Sequence, residues 1–539
     1  MKKMRWVMVL LVVAFAAAAA GCSCDEGKHH AEDADVEDTP TEAEDRIDTP
    51  PDVVPDEAAD DPPAEEPAGD GEAEEEAVED AADIDGDVEE EEVPPPVCPD
   101  ASLLDLAVVT TAGEQVVPKV ATGIDGTTWF SWYDNAGGNY DVRIQLLDRE
   151  GTPMFDPAGI LVSDLSSDTW VTDYSLITDT DGAAVLAFND MRAGNFDPFA
   201  YKVSTAGDMV WFADGVALGP SEGDDFFPKI ARAPGGETVY AWERVSGGDT
   251  SNEVILQRLT PAGAPMWGTG LVIEGVVDAR AVRPWIAAAS DGTVIVIWMD
   301  TPDIMSYDRT IFARKIDAGG AAVWGTDTIV VDDQELPFFY DPVLVADDDG
   351  GAWVAWTAII GGALSKSFVQ HIDRDGQGTM PGGRLELSTS MSSHQYDPAL
   401  AFVATTGELV AAWREESGGE SGIYAQRFTS TGVRGWATTG LELVPLSTEL
   451  AYMGGIAGVA DGAVVFYSKM SFGTVMDLSV HAGLLELTAA PVFSPVTLSD
   501  VQSAKSHPDV DGDGVCGGWI AWDDMRTDAG DIYAGFFGL

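Results

Sequence analysis

One spacing limits what this chain can fold into more than any other feature. Trp132, Phe188, Trp242, Trp298, Trp356, Trp413, Phe466 (or Tyr467) and Trp522 recur every 53 to 58 residues. Such a period marks eight copies of one supersecondary unit, each unable to bury its apolar face alone. Six of these aromatics follow a proline 14 or 15 positions upstream: Pro118, Pro228, Pro284, Pro342, Pro398 and Pro508. The stretch between them reads as a hairpin. In Pro284-Trp-Ile-Ala-Ala-Ala-Ser-Asp-Gly-Thr-Val-Ile-Val-Ile-Trp298, Asp291-Gly292 supplies a turn between two apolar runs.

A third strand follows each aromatic, as in Ile423-Tyr-Ala-Gln-Arg-Phe428. Next comes a Gly with a bulky residue four positions on: Gly151/Phe155, Gly207/Trp211, Gly263/Trp267, Gly320/Trp324, Gly376/Met380 and Gly432/Trp436. A short fourth strand such as Leu441 to Val444 precedes the next proline. Four antiparallel strands per unit, eight times over, predict an all-β fold: one β-propeller of eight four-stranded blades. Small residues in the first strand (Ile286-Ala287-Ala288-Ala289; Ile456-Ala457-Gly458) suit the crowded axis and make that strand the inner one.

Closure is legible too. The chain ends on Asp531-Ile-Tyr-Ala-Gly-Phe-Phe-Gly-Leu539, a third strand with no fourth, whereas Leu103 to Val109 is a fourth with no third. The N-terminal strand is therefore expected to complete the last blade. Cys98 lies just before that strand and Cys516 just after the Asp513-Gly514 hairpin, so in an exported chain a Cys98–Cys516 disulfide would staple the ring.

Three compositional zones divide the chain: 1–21, 22–97 and 98–539. Lys2, Lys3 and Arg5 precede an apolar run from Trp6 to Ala20, the anatomy of an export signal and too short to span a bilayer comfortably. Ala19-Ala20-Gly21-Cys22 resembles the lipobox of bacterial lipoproteins, with Ala19 where Leu is usual. The resemblance implies that Cys22 is lipidated and becomes the mature N-terminus; ordinary secretion, with Cys22 in a disulfide, is the other reading. Residues 25–97 hold 32 Asp+Glu against Lys28 and Arg46 and no aromatic residue, a composition that cannot bury a core. An acidic tether with a random-coil span on the order of 50 Å is expected, between a lipid anchor and the propeller. These features imply a bacterial cell-envelope location, at the outer membrane or cell surface, and a monomer.

The whole chain carries a net charge of -65, and residues 98–539 alone hold 61 Asp+Glu against 23 Lys+Arg. Nucleic acid is thereby excluded as a partner, as is electrostatic docking on anionic lipid, because phosphates attract Lys and Arg.

Most of the 16 Trp occupy repeat positions and read as core between blades. The candidate contact residues are those that break the repeat near the end where first strands begin: Trp170, Asp224 and Asp225, Arg280 and Arg283, Phe338, Phe339 and Tyr340, His394 and Tyr396, with Tyr452. Mixed aromatic and polar loops suit an extracellular protein or a glycan. The Phe and Tyr residues read equally as a plug in the channel mouth. The Asp two positions after an anchor (Asp134, Asp190, Asp300, Asp524) recurs with the repeat and reads as a structural ion-pair device.

Asp509, Asp511 and Asp513 resemble the start of a calcium loop, but Ile520 stands at the twelfth position, so calcium is a weak candidate and no other cofactor is implied. His371, His394, His481 and His507 are scattered over different units without metal-ligand spacing.

Residues 100–539 resemble bacterial surface proteins built from uncharacterised propeller repeats, on motifs such as Trp522-Asp-Asp524-Met-Arg526 and Ile423 to Arg427. The resemblance implies the fold and is nearly silent on activity. Sialidases carry Ser-x-Asp-x-Gly-x-x-Trp boxes, from which Thr122-Gly-Ile-Asp125-Gly-Thr-Thr-Trp129 departs, and the signatures of WD40 repeats are absent. The expectation is a surface-anchored, non-enzymatic binding propeller. The alternative is a glycan hydrolase or lyase using acids such as Asp224, Asp225 or Glu335.

Overall fold

The computed structural model describes residues 102–123, 125–165, 173–220, 223–246, 251–276, 279–472, 476–488 and 491–538. The signal segment, the tether, Cys22, Cys98 and Trp170 lie outside the described residues. Eight antiparallel sheets of four strands make up the fold, and the only helical elements among the described residues are single turns at Pro234–Gly236 and Pro381–Gly383.

The inner strands of blades 1 to 8 are, in order, Gln115–Thr122, Ser175–Thr178, Asp224–Arg232, Arg280–Ala288, Val343–Ala346, His394–Val403, Leu450–Val459 and Lys505–Gly512. Each pairs with the anchor-bearing second strand, which pairs with a third, which pairs with a short outer fourth. Every inner strand packs against the inner strand of the next blade, and blade 8 returns to blade 1. The expected eight-bladed ring is thus the observed one.

The hairpin after the inner strand is longer than a two-residue turn in every blade but the seventh, where Val459 pairs directly with Gly462. Ala289 N donates to Thr293 O, while the Asp291 carboxylate accepts from Thr293 N at 3.2 Å and from its hydroxyl at 2.6 Å. Asp179, Asp347 and Asp513 do the same work in blades 2, 5 and 8. An Asp side chain that mimics a backbone turn explains why this residue type recurs there.

The anchors are buried completely or nearly so: Trp132, Trp242, Trp298, Trp356, Trp413 and Trp522 are all at most 2% exposed. Each removes 150–250 Å² from water, worth on the order of 4–6 kcal/mol before entropy is charged. Their indole N–H groups need acceptors in so dry a place. Three find them in the carboxylate two residues on: Trp298 with Asp300 at 2.9 Å, Trp413 with Glu415 at 2.8 Å and Trp522 with Asp524 at 3.2 Å. The Trp-x-Asp spacing is therefore a structural device, as its recurrence suggests.

The Gly and the bulky residue of neighbouring units interlock between blades. A Cβ on Gly263 would stand 2.9 Å from the Trp211 ring of the preceding blade, one on Gly376 2.8 Å from Trp324, and one on Gly207 3.1 Å from Phe155. The bulky residue also reaches across: Trp211, Trp267 and Trp324 donate their Nε1–H to Pro261 O, Ala318 O and Arg374 O of the next blade at 3.0, 3.1 and 3.0 Å. These glycines have φ between +81° and +88°, so both space and backbone demand Gly.

Leu103–Val109 pairs antiparallel with Asp531–Gly538 and completes blade 8. Arg526 clamps the join, binding both oxygens of Asp105 at 2.6 and 2.7 Å across 421 positions of sequence. Cys516 is buried and disulfide-bonded.

The interblade lock can be weighed by comparing two glycines with left-handed backbone. Gly376→Ala adds a clash to the backbone cost and is expected to lose roughly 2–4 kcal/mol, whereas Gly138→Ala, with nothing within 4 Å of its Cβ, should lose only about 1–2 kcal/mol. Urea midpoints of the two variants measure the difference; equal losses would remove the lock as a stabilising contact.

Candidate functional site

Inner strands are hydrogen-bonded to a neighbour on one side only, and the other edge faces the axis. The repeat proline adds a second constraint. It has no N–H to give the ladder, and the register skips there, at Val116/Lys119, Phe226/Lys229, Val282/Trp285, Tyr396/Ala399 and Ser506/Asp509. The residue before it takes the extra length in a left-handed conformation: Val117 at φ 53°, Phe227 at 56°, Arg283 at 54°, Asp397 at 52° and His507 at 47°, with Asp173 at 50° before Tyr174 in blade 2. For non-glycine residues this costs about 1–2 kcal/mol each. One frame thus presents Val, Asp, Phe, Arg, Asp and His at equivalent places around one end of the channel.

On the arc of blades 8, 1, 2 and 3 the inner edges are covered by charged and hydroxyl side chains from neighbouring blades. Asp509 and Asp511 of blade 8 accept from Val120 N and Thr122 N of blade 1, both at 2.8 Å. Thr178 Oγ1 donates to Thr122 O at 2.9 Å, Ser175 Oγ to Pro228 O at 2.7 Å and Arg232 Nε to Thr178 O at 2.9 Å. Asp173 sits between Lys119 at 2.8 Å and Lys229 at 3.2 Å. Burial alone would raise the Asp173 carboxyl, but the two ammonium groups outweigh it and hold it well below the usual carboxylate range. Burial pushes Asp511 up to about 6, against the N–H groups of Thr122 and Gly512.

The three residues of the weak calcium candidate point to separate tasks. Asp509 and Asp511 serve the blade 1 edge, while Asp513 Oδ1 accepts from Val515 N, Cys516 N and Gly517 N in its own hairpin.

The arc of blades 5, 6 and 7 is different. There a cavity of about 260 Å³ is lined by Phe339, Tyr340, Asp341 and Val343 of blade 5, Asp397, Pro398 and Ala399 of blade 6, and Met453, Gly454 and Gly455 of blade 7. Blade 7 has Gly454 where the repeat calls for proline, and a Cβ on Gly455 would meet Val510 at 2.8 Å. Those two glycines lie tight against Val510 and Ile520 of blade 8, and the space itself is bordered by Val343 and Ala399.

Aromatic rings border this cavity in a continuous series. Phe338 meets Phe339 at 5.1 Å, Phe339 meets Tyr340 at 4.7 Å, Tyr340 meets Tyr396 at 5.6 Å, and His394 stacks on Tyr396 at 5.7 Å with planes 3° apart. The Arg414 guanidinium stands 4.9 Å from the Tyr396 ring and 5.3 Å from Tyr452. It pairs with Asp397 at 3.5 Å and Glu416 at 3.2 Å. Arg283, lying 4.1 Å over Phe227, pairs with Asp341 at 3.5 Å. Burial raises the Asp397 carboxyl; Arg414 opposes that and Glu416 adds to it.

Sequence candidates divide accordingly. Phe339 and Tyr340 line the cavity, with Phe338, Tyr396, His394 and Tyr452 in or beside the same aromatic cluster. Asp225 is fully buried in a bidentate pair with Arg244 at 2.9 and 3.0 Å. Asp224 accepts from Phe196 N at 3.1 Å, and Arg280 reaches Asn252 Oδ1 at 3.4 Å; none of the three belongs to the cavity lining. Glu335 bridges the backbones of Asp308 and Ile359. Sequence reasoning missed Asp341, Asp397 and Arg414. The first two stand immediately before a repeat proline and the third immediately after an anchor, so these two offsets were the available signal.

Removing the central carboxylate of the charged arc by Asp173→Asn leaves Lys119 and Lys229 facing each other, an expected loss of about 2 kcal/mol at pH 7. Because the folded-state pKa lies below the ordinary aspartate value of about 3.9, the Asp173 contribution is complete above that value and fades as pH falls through the folded one. Urea unfolding should show the deficit at pH 7 and a smaller one at pH 3; a deficit that grows in acid would refute the assignment.

No protein-family model matches the chain, and no curated protein matches its sequence. Solved structures with which it aligns include the Dos1 propeller (11% identity, 81% of this chain and 95% of that one, TM-score 0.45) and the polysaccharide lyase Uly1 (9%, 80% and 91%, 0.41). A puromycin-hydrolyzing peptidase of Mycobacterium tuberculosis aligns at 12% identity over 78% of this chain and 61% of that one, with a TM-score of 0.43. At such values nothing about activity passes from these proteins to this chain.

Proposed function

We propose that this protein is a binding propeller of the bacterial cell envelope, lipid-anchored at Cys22, carried on the acidic tether of residues 22–97, and that it takes a glycan at the channel mouth without turnover. The observation that carries the reading is the cavity of blades 5 to 7, where Phe339 and Tyr340 stand beside the carboxylates of Asp341 and Asp397. An apolar ring face next to a few polar acceptors is the combination that suits a sugar, which has both a C–H face and a rim of hydroxyl donors. About 260 Å³ falls just under the usual range of small-molecule sites, roughly 300–1,000 Å³, and so suits one ring-sized group at the end of a longer chain.

One observation favours a second reading as a glycan hydrolase or lyase: two carboxylates line the same cavity. Each of them faces an arginine at 3.5 Å, Arg283 for Asp341 and Arg414 for Asp397.

A glycan array probed with the full-length mature protein, followed by product analysis on every glycan bound, separates the two. Binding without products is expected, weakened about tenfold by Tyr340→Ala; products that disappear in Asp341→Asn or Asp397→Asn would establish the second reading instead. Cys22→Ser should move the protein from the membrane to the soluble fraction, and membrane retention by that variant would defeat the anchor.

A further inference from the structure

We propose that the group entering the cavity is a protonated amine, so that the glycan bound is one with free amino groups; this rests on the glycan reading above and narrows it. The lining residues include two charged side chains, both carboxylates, and no cation. The arginines that serve them stand outside the lining, and each makes only a loose pair at 3.5 Å. Well-made pairs elsewhere in the propeller are shorter, 2.6 Å for Arg526 with Asp105, 2.7 Å for Arg314 with Asp327 and 2.8 Å for Lys119 with Asp173. Asp341 and Asp397 keep 37% and 40% of their side-chain surface exposed, so an incoming donor can reach them.

The aromatic members of the lining favour the same charge. The face of a phenyl or phenol ring carries negative potential, and an ammonium within about 6 Å of its centroid gains roughly 0.5–1 kcal/mol when exposed and about 2 when desolvated. Phe339 and Tyr340 both line the cavity and meet edge to face at 4.7 Å and 64°. A glycan with carboxylate or sulfate groups would instead meet two negative side chains in an already acidic propeller. An acetamido group offers neither the charge nor a fit to two acceptor-only carboxylates beyond its single N–H.

Asp397 occupies a left-handed position, φ 52°, which Asp tolerates better than most non-glycine residues. The proline bulge holds it there, and with it the direction in which its carboxylate leaves the chain. Burial and Glu416 also work against its charge more than Arg414 relieves it, a deficit that a bound ammonium would offset.

Isothermal titration of the full-length mature protein with three probes tests the proposal: a glucosamine trisaccharide, the same trisaccharide fully N-acetylated, and ethylammonium chloride. The free-amine trisaccharide is expected to bind at least tenfold more tightly than the acetylated one. That preference should shrink as salt rises from 0.05 to 0.5 M and disappear in Asp341→Asn and in Asp397→Asn, with thermal melts reporting whether each variant is folded. Should either variant fail to fold, the comparison of free and acetylated sugars on the unaltered protein decides alone. Equal binding of the two trisaccharides overturns the amine and leaves the glycan reading intact. Binding of ethylammonium with no binding of either sugar upholds the amine and overturns the glycan, and silence from all three probes overturns both.

Discussion

Closing eight sheets into a ring creates one backbone edge per blade that no further strand can pair. Most sheets hide or blunt their edges, but an inner strand cannot move away from the axis without opening its contacts to both neighbours. The repeat answers with a proline in the inner strand of five blades, which removes one donor from the edge and sits at a bulge. The remaining donors must be served by side chains from the next blade. Where those side chains are Asp509, Asp511, Thr178 and Arg232, the edge is satisfied and the wall is filled. The cavity lies where the wall carries Val343 and Ala399 instead.

The strain of the bulge is carried by contacts far from it. Five non-glycine residues in left-handed conformation at the bulges, with Asp173 at the equivalent place in blade 2, at up to about 1–2 kcal/mol each, would be a serious charge on a domain whose net stability is of order 5–15 kcal/mol. Buried anchors in the second strands and the Gly-bulky locks toward the outside offset it. The division of labour has a consequence for variation: residues before the prolines can change without touching the anchors, which is why Val117, Phe227, Arg283, Asp397 and His507 differ while their backbones agree.

That division also explains what could be read from the chain. Anchor spacing is visible because each indole must occupy the same depth in its blade, and the unpaired Leu103 to Val109 strand is visible because the last unit lacks a fourth. The interlock was half visible: the Gly and its bulky partner recur, but only folding shows that the glycine of one blade faces the bulky residue of the blade before it. The cavity was least visible. Phe339 and Tyr340 stood out as aromatics that break the repeat, but Asp341 and Asp397 were masked by their position beside prolines, where any residue type is tolerated. Asp224-Asp225 attracted attention as a charged pair, and Asp225 proved to be the buried partner of Arg244, two residues beyond the Trp242 anchor on the adjacent strand.

Charge acts on two scales in this molecule, and they should not be confused. The acidic body, with 61 Asp+Glu against 23 Lys+Arg in residues 98–539, repels anions from every side, but screening confines that field to roughly 8 Å from the surface at physiological salt. It can bias which ligands approach; it cannot choose among cations or neutral sugars once they arrive. Selection requires charges inside a concave wall, where fewer waters and ions intervene. Lys119, Asp173 and Lys229 are such charges, but they are spent on one another. Asp341 and Asp397 are the pair whose arginines stand off at 3.5 Å, and a carboxylate incompletely served by its own protein is the one with affinity left for a ligand.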